Sequence, residues 1–374
     1  MYDCIIVGAG PAGGAAAYHL AKRGRSVLIL EKEVFPRYKP CGGGVSPAIA
    51  PWFDFDFSPA ISLKLRTLRY TWKFDDAVEV ELETPEPIWL VRRDVFDHFL
   101  VQQAQAQGAT LQDQTSVTAI EWLGDRWRVQ TPQEPLEAQY LIGADGAKGM
   151  MAQWLGLREP KRRSAAALEA QPPLGHDQHI HFEFGMTKNG YIWNFPKADG
   201  YSIGMGTFRG GDTHNFEKTL ADYAQRFKLA PEQCRQYDHP LCLWDGQHPL
   251  HSQNALLAGE AASLVDPFSA EGIRPAIYSG MQGAIAIDRA LGGDINALEA
   301  YTAEMNNEWG TDMVWAQRLA GVFYRIPGVS YRLGVKRPAA TRRMGQVLCG
   351  ELRYRDVAGN AIKRLSSGLI PGRS

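Results

Sequence analysis

Three glycines near the N-terminus have the spacing of a nucleotide-binding turn. Gly8, Gly10 and Gly13 form a G-x-G-x-x-G pattern between the apolar run Tyr2 to Val7 and a run of small residues that ends at Gly24. In this pattern the first glycine allows a tight turn, the second lets the backbone approach a pyrophosphate, and the third lets a helix pack on a strand. Free N–H groups at the helix N-terminus then stabilise the anion. The pattern therefore predicts a dinucleotide site.

An acidic residue follows at the expected distance. The apolar run Val27 to Leu30 is predicted to be the second strand of a βαβ unit, and Glu31 closes it. A carboxylate at this place accepts hydrogen bonds from the ribose hydroxyls of an adenosine. We also expect Ala12, within the turn, and Lys32, next to Glu31, to contact the cofactor. NAD and FAD share this fingerprint, so the turn alone does not separate them.

Two further glycine-containing motifs decide between these cofactors, and each ends a predicted strand. GADG at residues 143–146 and AGEAA at residues 258–262 resemble the second and third fingerprints of the FAD-dependent, p-hydroxybenzoate-hydroxylase-like superfamily. The resemblance implies non-covalently bound FAD, with Asp145 and Gly146 beside it and an acid after Gly259 at the ribityl chain. That acid is Glu260 here, where the superfamily usually carries Asp; the longer side chain keeps the charge and shifts its reach.

The same resemblance implies contacts elsewhere along the chain. The loop and helix N-terminus at Glu271, Gly272 and Ile273 would present N–H groups to the flavin edge where negative charge grows on reduction. Arg92 resembles the superfamily arginine near the pyrophosphate and ribityl chain, with Arg93 as the alternative.

Two local motifs narrow the resemblance to one family. P-x-x-x-x-C-G-G occupies residues 36–43, and Y-x-W-x-F-P-K occupies residues 191–197, with Gly204 seven residues further on. Together with DPFSAEGI at residues 266–273, they resemble the geranylgeranyl reductase family, which saturates double bonds of prenyl chains in chlorophyll, tocopherol, quinone and archaeal lipid pathways. The resemblance covers roughly residues 1 to 300 and implies FAD-dependent reduction of a geranylgeranyl-type chain, either free diphosphate or linked to a lipid or pigment.

Reduction of an isoprenyl double bond sets requirements on the site. The double bond is unactivated, so a hydride from flavin N5 and a proton must reach its two carbons where water is excluded and apolar walls hold the chain. Tyr191, Trp193 and Phe195 alternate along a predicted strand and so share one face. We expect them, with Pro196, to line the substrate pocket. The alternative is that this stripe packs the core.

Cys41 is the candidate catalytic residue. Gly42 and Gly43 follow it, so backbone can approach a ligand closely and the thiol is not enclosed by neighbouring side chains. Lys39 and Arg37 would stabilise a thiolate or hold a substrate diphosphate. We expect Cys41, Gly42 and Gly43 beside the flavin, with Cys41 delivering the proton or positioning the alkene. The alternative is a buried structural cysteine.

Other functions of the same fold stay open at this point. One is a flavin-dependent monooxygenase that hydroxylates an aromatic or quinone, in which reduced flavin meets oxygen. Another is a redox-neutral use of FAD, as in carotenoid cyclisation. A third is a non-catalytic, FAD-stabilised isoprenoid-binding protein. No second nucleotide motif identifies the electron donor, which is NADPH or ferredoxin.

The order of elements predicts an α/β protein in which two bodies interleave. Segments 1–50, 92–164 and 252–292 are predicted to form a Rossmann-like FAD-binding domain. Segments 51–91 and 165–251 are predicted to form an antiparallel β-sheet substrate domain, and residues 293–374 a mostly helical C-terminal region.

Charge and cysteine content limit the partners and the compartment. The net charge of −1 carries no nucleic-acid signature. From Arg318 to Ser374 there are 12 Lys and Arg against two acids, so this region is either a peripheral membrane contact or a solvated basic surface. Five scattered cysteines without a CxxC pair indicate a reducing compartment. No apolar run spans a bilayer, so we expect a cytoplasmic protein. We also expect no metal, reading His176, His179 and His181 as a polar strand edge.

Overall fold

A computed structural model of the chain describes residues 1–170, 179–210, 216–229 and 234–358. Within these residues the strands are β1 Tyr2–Val7, β2 Val27–Leu30, β3 Gly44–Val45, β4 Leu63–Leu65, β5 Thr67–Trp72, β6 Asp75–Glu81, β7 Ile88–Leu90, β8 Thr110–Gln112, β9 Ala119–Trp122, β10 Trp127–Gln130, β11 Leu136–Gly143, β12 Arg162–Ala170, β13 His179–Phe184, β14 Gly190–Lys197, β15 Gly200–Thr207, β16 Cys234–Cys242, β17 His251–Ser252 and β18 Ala255–Leu257.

The α-helices of the same residues are α1 Pro11–Ala21, α2 Arg93–Ala106, α3 Met151–Trp154, α4 Phe216–Arg226, α5 Ile273–Leu291, α6 Ala297–Glu304, α7 Thr311–Phe323, α8 Pro327–Ser330 and α9 Pro338–Leu348. Two π-helical segments, Met305–Gly310 and Tyr331–Val335, join helices in the C-terminal region.

The first sheet has parallel strands at its centre. Its order is β17-β18-β11-β1-β2-β8, with β10 and β9 added through β11. Strand β1 pairs in parallel with β2 and β11, and its residues Cys4, Ile5 and Ile6 are fully buried. Helix α5 packs closely on α1, since a Cβ at Gly280 would lie 2.2 Å from the Ala12 carbonyl oxygen. Strands buried in this way read as continuous apolar runs, as β2 does.

The second sheet has seven strands in the order β16-β12-β15-β14-β13-β5-β6, all antiparallel neighbours except β13 and β5. Helix α4 covers one face, where Phe216 and Leu220 pack with Ile192 and Ile203. The opposite face of this sheet lines the cavity between the two large sheets. A third, small sheet joins β3, β7 and β4.

The chain passes repeatedly between the two large sheets. Strands β1, β2, β8 to β11, β17 and β18 belong to the first sheet, whereas β5, β6 and β12 to β16 belong to the second. The predicted fold class, a Rossmann-like body interleaved with an antiparallel sheet and followed by a helical region, is confirmed. Helix α4 was not predicted: it lies in segment 165–251, which was predicted to belong to the antiparallel β-sheet substrate domain.

Residues 311–348 form a helical cover over the second sheet. Its inner aromatic residues pack on that sheet, with Phe323 5.3 Å from Phe184, Tyr324 5.7 Å from Phe208 and Tyr331 5.6 Å from Trp72 between ring centroids. None of the helices in the described ranges has the length and apolar character that crossing a bilayer requires.

Candidate active site

A cavity of about 690 Å³ lies between the two large sheets. The carboxyl ends of β1, β2, β11 and β18 form one side, through Val7, Leu30, Ala144 and Ala258. The inner face of the second sheet forms the other side. Such a volume is within the range of roughly 300–1,000 Å³ that small-molecule sites occupy.

The glycine turn has a geometry that excludes side chains. Gly8 adopts φ +101°, and a Cβ there would lie 2.4 Å from the Ala144 carbonyl oxygen. A Cβ on Gly13 would lie 1.9 Å from the Gly8 carbonyl oxygen, so Gly13 acts through packing and does not line the cavity. Gly10 precedes α1, and both it and Ala12 line the cavity. The first N–H groups of α1 are thus available to an anion.

The acid after β2 is held beside this turn. Glu31 is buried and accepts hydrogen bonds from the Ala9 amide at 3.0 Å and the Glu33 amide at 3.2 Å. Both Glu31 and the exposed Lys32 line the cavity. The carboxylate is therefore positioned by backbone on both sides before any ligand arrives.

Two arginines also reach the glycine turn, and a buried aspartate holds them. Asp97 is fully buried and accepts two bonds of 2.7 Å from Arg93 and one of 2.8 Å from Arg37. A Cβ on Gly10 would lie 3.8 Å from Arg37 Nη2 and 3.9 Å from Arg93 Nη2. Burial opposes ionisation of Asp97, but the two arginines keep its pKa below the usual value. The sequence analysis missed this role of Arg37 and Asp97.

Arg92, which was expected to lie near the pyrophosphate, does not line the cavity. It bonds Asp94 at 3.0 Å and also pairs with Asp199. Arg93, the alternative, lines the cavity and also contacts the Cys41 thiol. Arg92 precedes α2 with an extended backbone, whereas Arg93 is the first residue of the helix, so the two side chains leave the chain in different directions.

Asp145 is a second fixed carboxylate at the cavity. Its Oδ2 accepts hydrogen bonds from the Met150 amide at 2.6 Å and the Met151 amide at 2.9 Å. Its Oδ1 is buried and finds no hydrogen-bond donor among the described residues, and burial raises the pKa of this carboxyl group. Gly146, at φ +70°, lines the cavity next to it. A buried oxygen without a donor is the expected counterpart of a hydroxyl-bearing ligand.

Glu260 lines the cavity but already has partners. It pairs with Lys39 at 3.2 Å, accepts a hydrogen bond from the Cys242 amide at 3.1 Å and lies 3.8 Å from His239. Burial opposes ionisation, but Lys39, His239 and the Cys242 amide lower the pKa of Glu260 to about 2. The ammonium of Lys39, which was predicted to bind the substrate, is thus neutralised by this acid. Gly259 bonds Ser279 and does not line the cavity.

The N-terminus of helix α5 opens on the same cavity. Glu271, Gly272 and Ile273 all line it, and Gly272 precedes the first helical residue. Glu271 Oε1 accepts a hydrogen bond of 2.7 Å from the Arg274 amide, and burial raises the pKa of Glu271. The positive end of a 19-residue helix therefore faces the cavity where a ligand would carry negative charge.

The Cys41 loop packs against the aromatic strand. Cys41 is half-buried, lines the cavity and accepts a hydrogen bond at Sγ from the Gly43 amide at 3.3 Å. A Cβ on Gly42 would lie 2.8 Å from the Phe195 ring and 3.1 Å from Trp193. The glycines after Cys41 therefore permit direct contact between this loop and strand β14.

Lys197 and Ser202 fix the backbone of that loop. Lys197 donates to the Gly42 carbonyl oxygen, and Ser202 Oγ lies 3.0 Å from the Cys41 carbonyl oxygen. Ser202 also bonds Glu169 at 2.8 Å. Burial lowers the pKa of Lys197 to about 8 and raises that of Glu169. The sequence analysis did not assign Lys197 to the site, although it ends the Y-x-W-x-F-P-K motif.

Three of the four predicted substrate-wall residues lie together. Tyr191, Trp193 and Phe195 line the cavity, as their alternation along β14 predicts. Pro196 is not in the lining, because alternation along the strand places it on the opposite face, with Ile192. Further apolar side chains complete the wall without having been predicted: Ile88, Ile180, Phe182, Leu241, Val265 and Leu348.

His179 and His181 lie on β13 with ring centroids 5.8 Å apart, and His179 is 3.8 Å from Glu79. His176 lies outside the described residues. In the part of the chain that the structure describes, no group of three His, Cys, Asp or Glu could hold a metal ion.

Comparisons with known proteins find FAD-dependent oxidoreductases that are similar to this chain. A family model described as "FAD dependent oxidoreductase" matches residues 3–89, and a "FAD binding domain" model matches residues 60–191. An uncharacterized protein of Methanosarcina barkeri is 30% identical over 89% of this chain and 86% of its own length. Digeranylgeranylglycerophospholipid reductase 1 of Methanothermobacter thermautotrophicus is 28% identical over 79% of each chain. The chloroplastic geranylgeranyl diphosphate reductase of Oryza sativa is 27% identical over 86% of this chain and 74% of its own.

Solved structures show the same fold in flavoproteins. A geranylgeranyl bacteriochlorophyll reductase-like protein from Thermoplasma acidophilum superposes with a TM-score of 0.76 at 22% identity, covering 86% of this chain and 87% of that chain. A flavin-dependent brominase superposes with a TM-score of 0.71 at 19% identity, covering 98% and 99%. At these identities the likeness concerns the fold alone.

Proposed function

Since this chain belongs to the geranylgeranyl reductase family of FAD-dependent oxidoreductases, we propose that it saturates carbon–carbon double bonds of a geranylgeranyl-type isoprenoid chain. The single observation that carries the proposal is the continuity of the cavity. One cavity reaches from the glycine turn at Gly8 and Gly10 to the aromatic wall at Trp193 and Phe195, and Cys41 lies between them. A polar end suited to a nucleotide and an apolar end suited to a prenyl chain therefore share one cavity.

The residues at the polar end fit FAD. The turn at Gly10 and the guanidinium groups of Arg37 and Arg93 would hold the pyrophosphate, and Glu31 the adenosine ribose. Asp145 has a buried oxygen free for a hydroxyl, and the N-terminus of α5 at Gly272 would stabilise negative charge on the isoalloxazine. When bound and reduced, FAD supplies the hydride for reduction of a double bond.

The apolar end would hold the prenyl chain and exclude water. Trp193, Phe195 and Phe182 present rings to the cavity, and Ile180 and Leu348 add aliphatic surface. An unactivated alkene offers no group for hydrogen bonding, so position along this wall is set by packing alone.

Cys41 would supply the proton to the second alkene carbon. It lies at the junction of the two ends, and its loop is fixed by Lys197 and Ser202. Arg93 lies beside its thiol, so a guanidinium group is next to the atom that would donate the proton.

The test is anaerobic incubation of geranylgeranyl diphosphate with the purified protein and dithionite-reduced FAD, followed by mass spectrometry. Products heavier by two hydrogens per step are expected. In D2O two deuterium atoms should enter each saturated bond, because dithionite supplies only electrons and both the N5 hydrogen of the reduced flavin and the donated proton come from solvent. Unchanged substrate with FAD bound and reducible, for free and for lipid-linked prenyl chains alike, would refute the proposal.

Two variants test the proton donor. Cys41→Ala should keep its FAD and lose reduction, whereas Cys41→Ser should retain FAD and a small fraction of the rate. Turnover of Cys41→Ala at the wild-type rate would remove the thiol from the mechanism.

Oxygen consumption coupled to a candidate substrate would instead favour a monooxygenase. The physiological donor, NADPH or ferredoxin, is identified by which of them reduces the bound flavin.

A further inference from the structure

The outer face of the helical cover carries an unusual set of exposed apolar residues. Four of them fall within 12 consecutive residues: Val322 is 63% exposed, Ile326 48%, Val329 50% and Leu333 58%. Three aromatic residues of the same segment are turned inward, since Phe323, Tyr324 and Tyr331 are buried against the second sheet. Exposed apolar side chains scattered singly need no explanation, but a cluster on one segment does.

The same segment is strongly basic. Between Met313 and Gly350 there are seven Lys and Arg and no Asp or Glu. Arg325 and Arg332 are exposed, alternate with the apolar residues, and have no ion-pair partner among the described residues. Lys336 pairs with Asp76 at 2.6 Å, on the edge of the second sheet. The cover therefore presents cations and apolar side chains together on its outer face.

This combination fits one kind of partner. Aliphatic side chains flanked by arginines are typical of segments that lie in the interface of a bilayer, where the side chains enter the acyl boundary and the cations meet anionic headgroups. We propose that the outer face of the helical cover, at Val322, Ile326, Val329 and Leu333 with Arg325 and Arg332, docks on an anionic lipid surface.

The helical cover lies next to the apolar end of the cavity, so docking would bring that end close to the lipid surface. Leu348, in α9 of the cover, lines the apolar end of the cavity. Tyr191, on the cavity wall, contacts Phe208 at 5.1 Å, and Phe208 contacts Tyr324 of the cover at 5.7 Å. Three aromatic rings in series, Tyr191, Phe208 and Tyr324, thus connect the cavity wall to the inner side of the cover. That a prenyl chain enters from the bilayer rests on the proposed function; the docking itself does not.

Vesicle flotation tests the docking without any turnover. Wild-type protein should float with vesicles of phosphatidylcholine and phosphatidylglycerol, and much less with phosphatidylcholine alone or at high salt. The variant Arg325→Gln/Arg332→Gln should bind the anionic vesicles roughly 25-fold more weakly, because each cation at such a surface contributes about fivefold. Ile326→Ser/Leu333→Ser should bind at least about tenfold more weakly, since two aliphatic side chains no longer enter the lipid.

Ile295→Ser is the matched control, because Ile295 is 93% exposed in the connection between α5 and α6. It should bind as wild type. Equal binding of the cover variants and wild type, or no binding of wild type to anionic vesicles, would overturn the proposal. A wild-type dimer that dissociates in Ile326→Ser/Leu333→Ser, with no vesicle binding, would assign the face to a second copy of the chain instead.

A second readout separates docking from catalysis. If the chain enters from the bilayer, both cover variants should reduce free prenyl diphosphate at the wild-type rate, and vesicle-embedded prenyl lipid at least about tenfold more slowly, in step with their binding. Absence of reductase activity in every assay would refute the proposed function while leaving the flotation result intact.

Discussion

Arg93, and not Arg92, should determine FAD affinity. Arg93 is buried, uses two donors on Asp97 at 2.7 Å each, and has Nη2 beside Gly10 of the glycine turn. Loss of one charge-assisted hydrogen bond to a pyrophosphate oxygen costs about 1.5–3 kcal/mol. That free energy corresponds to FAD binding roughly 10- to 150-fold more weakly in Arg93→Met. Arg93→Lys keeps the charge without the planar fork, so its affinity for FAD should lie between those of the wild type and Arg93→Met.

Arg92→Met is the matched control. Its side chain pairs with Asp94 and Asp199 away from the cavity, so FAD affinity should stay within about twofold. The assay is quenching of flavin fluorescence on titration into apoprotein, with thermal unfolding of the apoprotein to establish that each variant is folded. If Arg92→Met loses FAD and Arg93→Met retains it, the assignment of the pyrophosphate site is refuted.

Three further predictions concern the substrate wall and two charged side chains beside it, Lys197 and Glu260. Gly204→Ala should slow reduction and leave FAD bound, because its Cβ would lie 1.9 Å from the Trp193 ring. Gly334→Ala is the control, since no atom lies within 4 Å of the Cβ it would add. Equal rates of reduction in the two variants would contradict the packing of Gly204 on Trp193. Lys197 has a folded pKa of about 8, below its unfolded value of roughly 10.4. The free energy of unfolding should therefore rise with pH between these values, and urea titrations of Lys197→Met should lack that rise. Glu260 has a pKa of about 2, so its stabilising contribution is present above roughly pH 4.3 and is lost as pH falls towards 2. Glu260→Gln should lower the free energy of unfolding by up to about 3 kcal/mol at neutral pH, and a difference that persists at the lowest pH would argue against the Lys39 pair.

The nucleotide-binding half could be predicted because its signals are local. Strands Tyr2–Val7 and Val27–Leu30 have the predicted bounds, since each is a short apolar run buried on both faces. The glycine turn between strand and helix needs only neighbours within a few residues. Helix α5 begins at Ile273, where a helix N-terminus at Glu271, Gly272 and Ile273 was expected.

The site contacts that could not be predicted are ion pairs between residues far apart in the sequence. Asp97 is 60 residues from Arg37, and Glu260 is 221 residues from Lys39, so no local pattern brings them together. Pro196 is different: it was assigned to the substrate wall with Phe195, yet a strand period of two places it on the other face. That misassignment was avoidable from the spacing alone.

The interleaving of the two sheets has a consequence for biosynthesis. Strand β1 pairs with β11, whose Leu141 in turn pairs with Ala255 of β18, and α5 packs directly on α1. Strand β1 therefore leaves the ribosome long before residues 255–291, which complete its sheet, have been translated. Contacts of such long sequence separation close slowly, and the unfinished sheet exposes apolar strands meanwhile. We expect flavin to be acquired late, so that cofactor content in a cell extract reports how much of the newly made protein has finished folding.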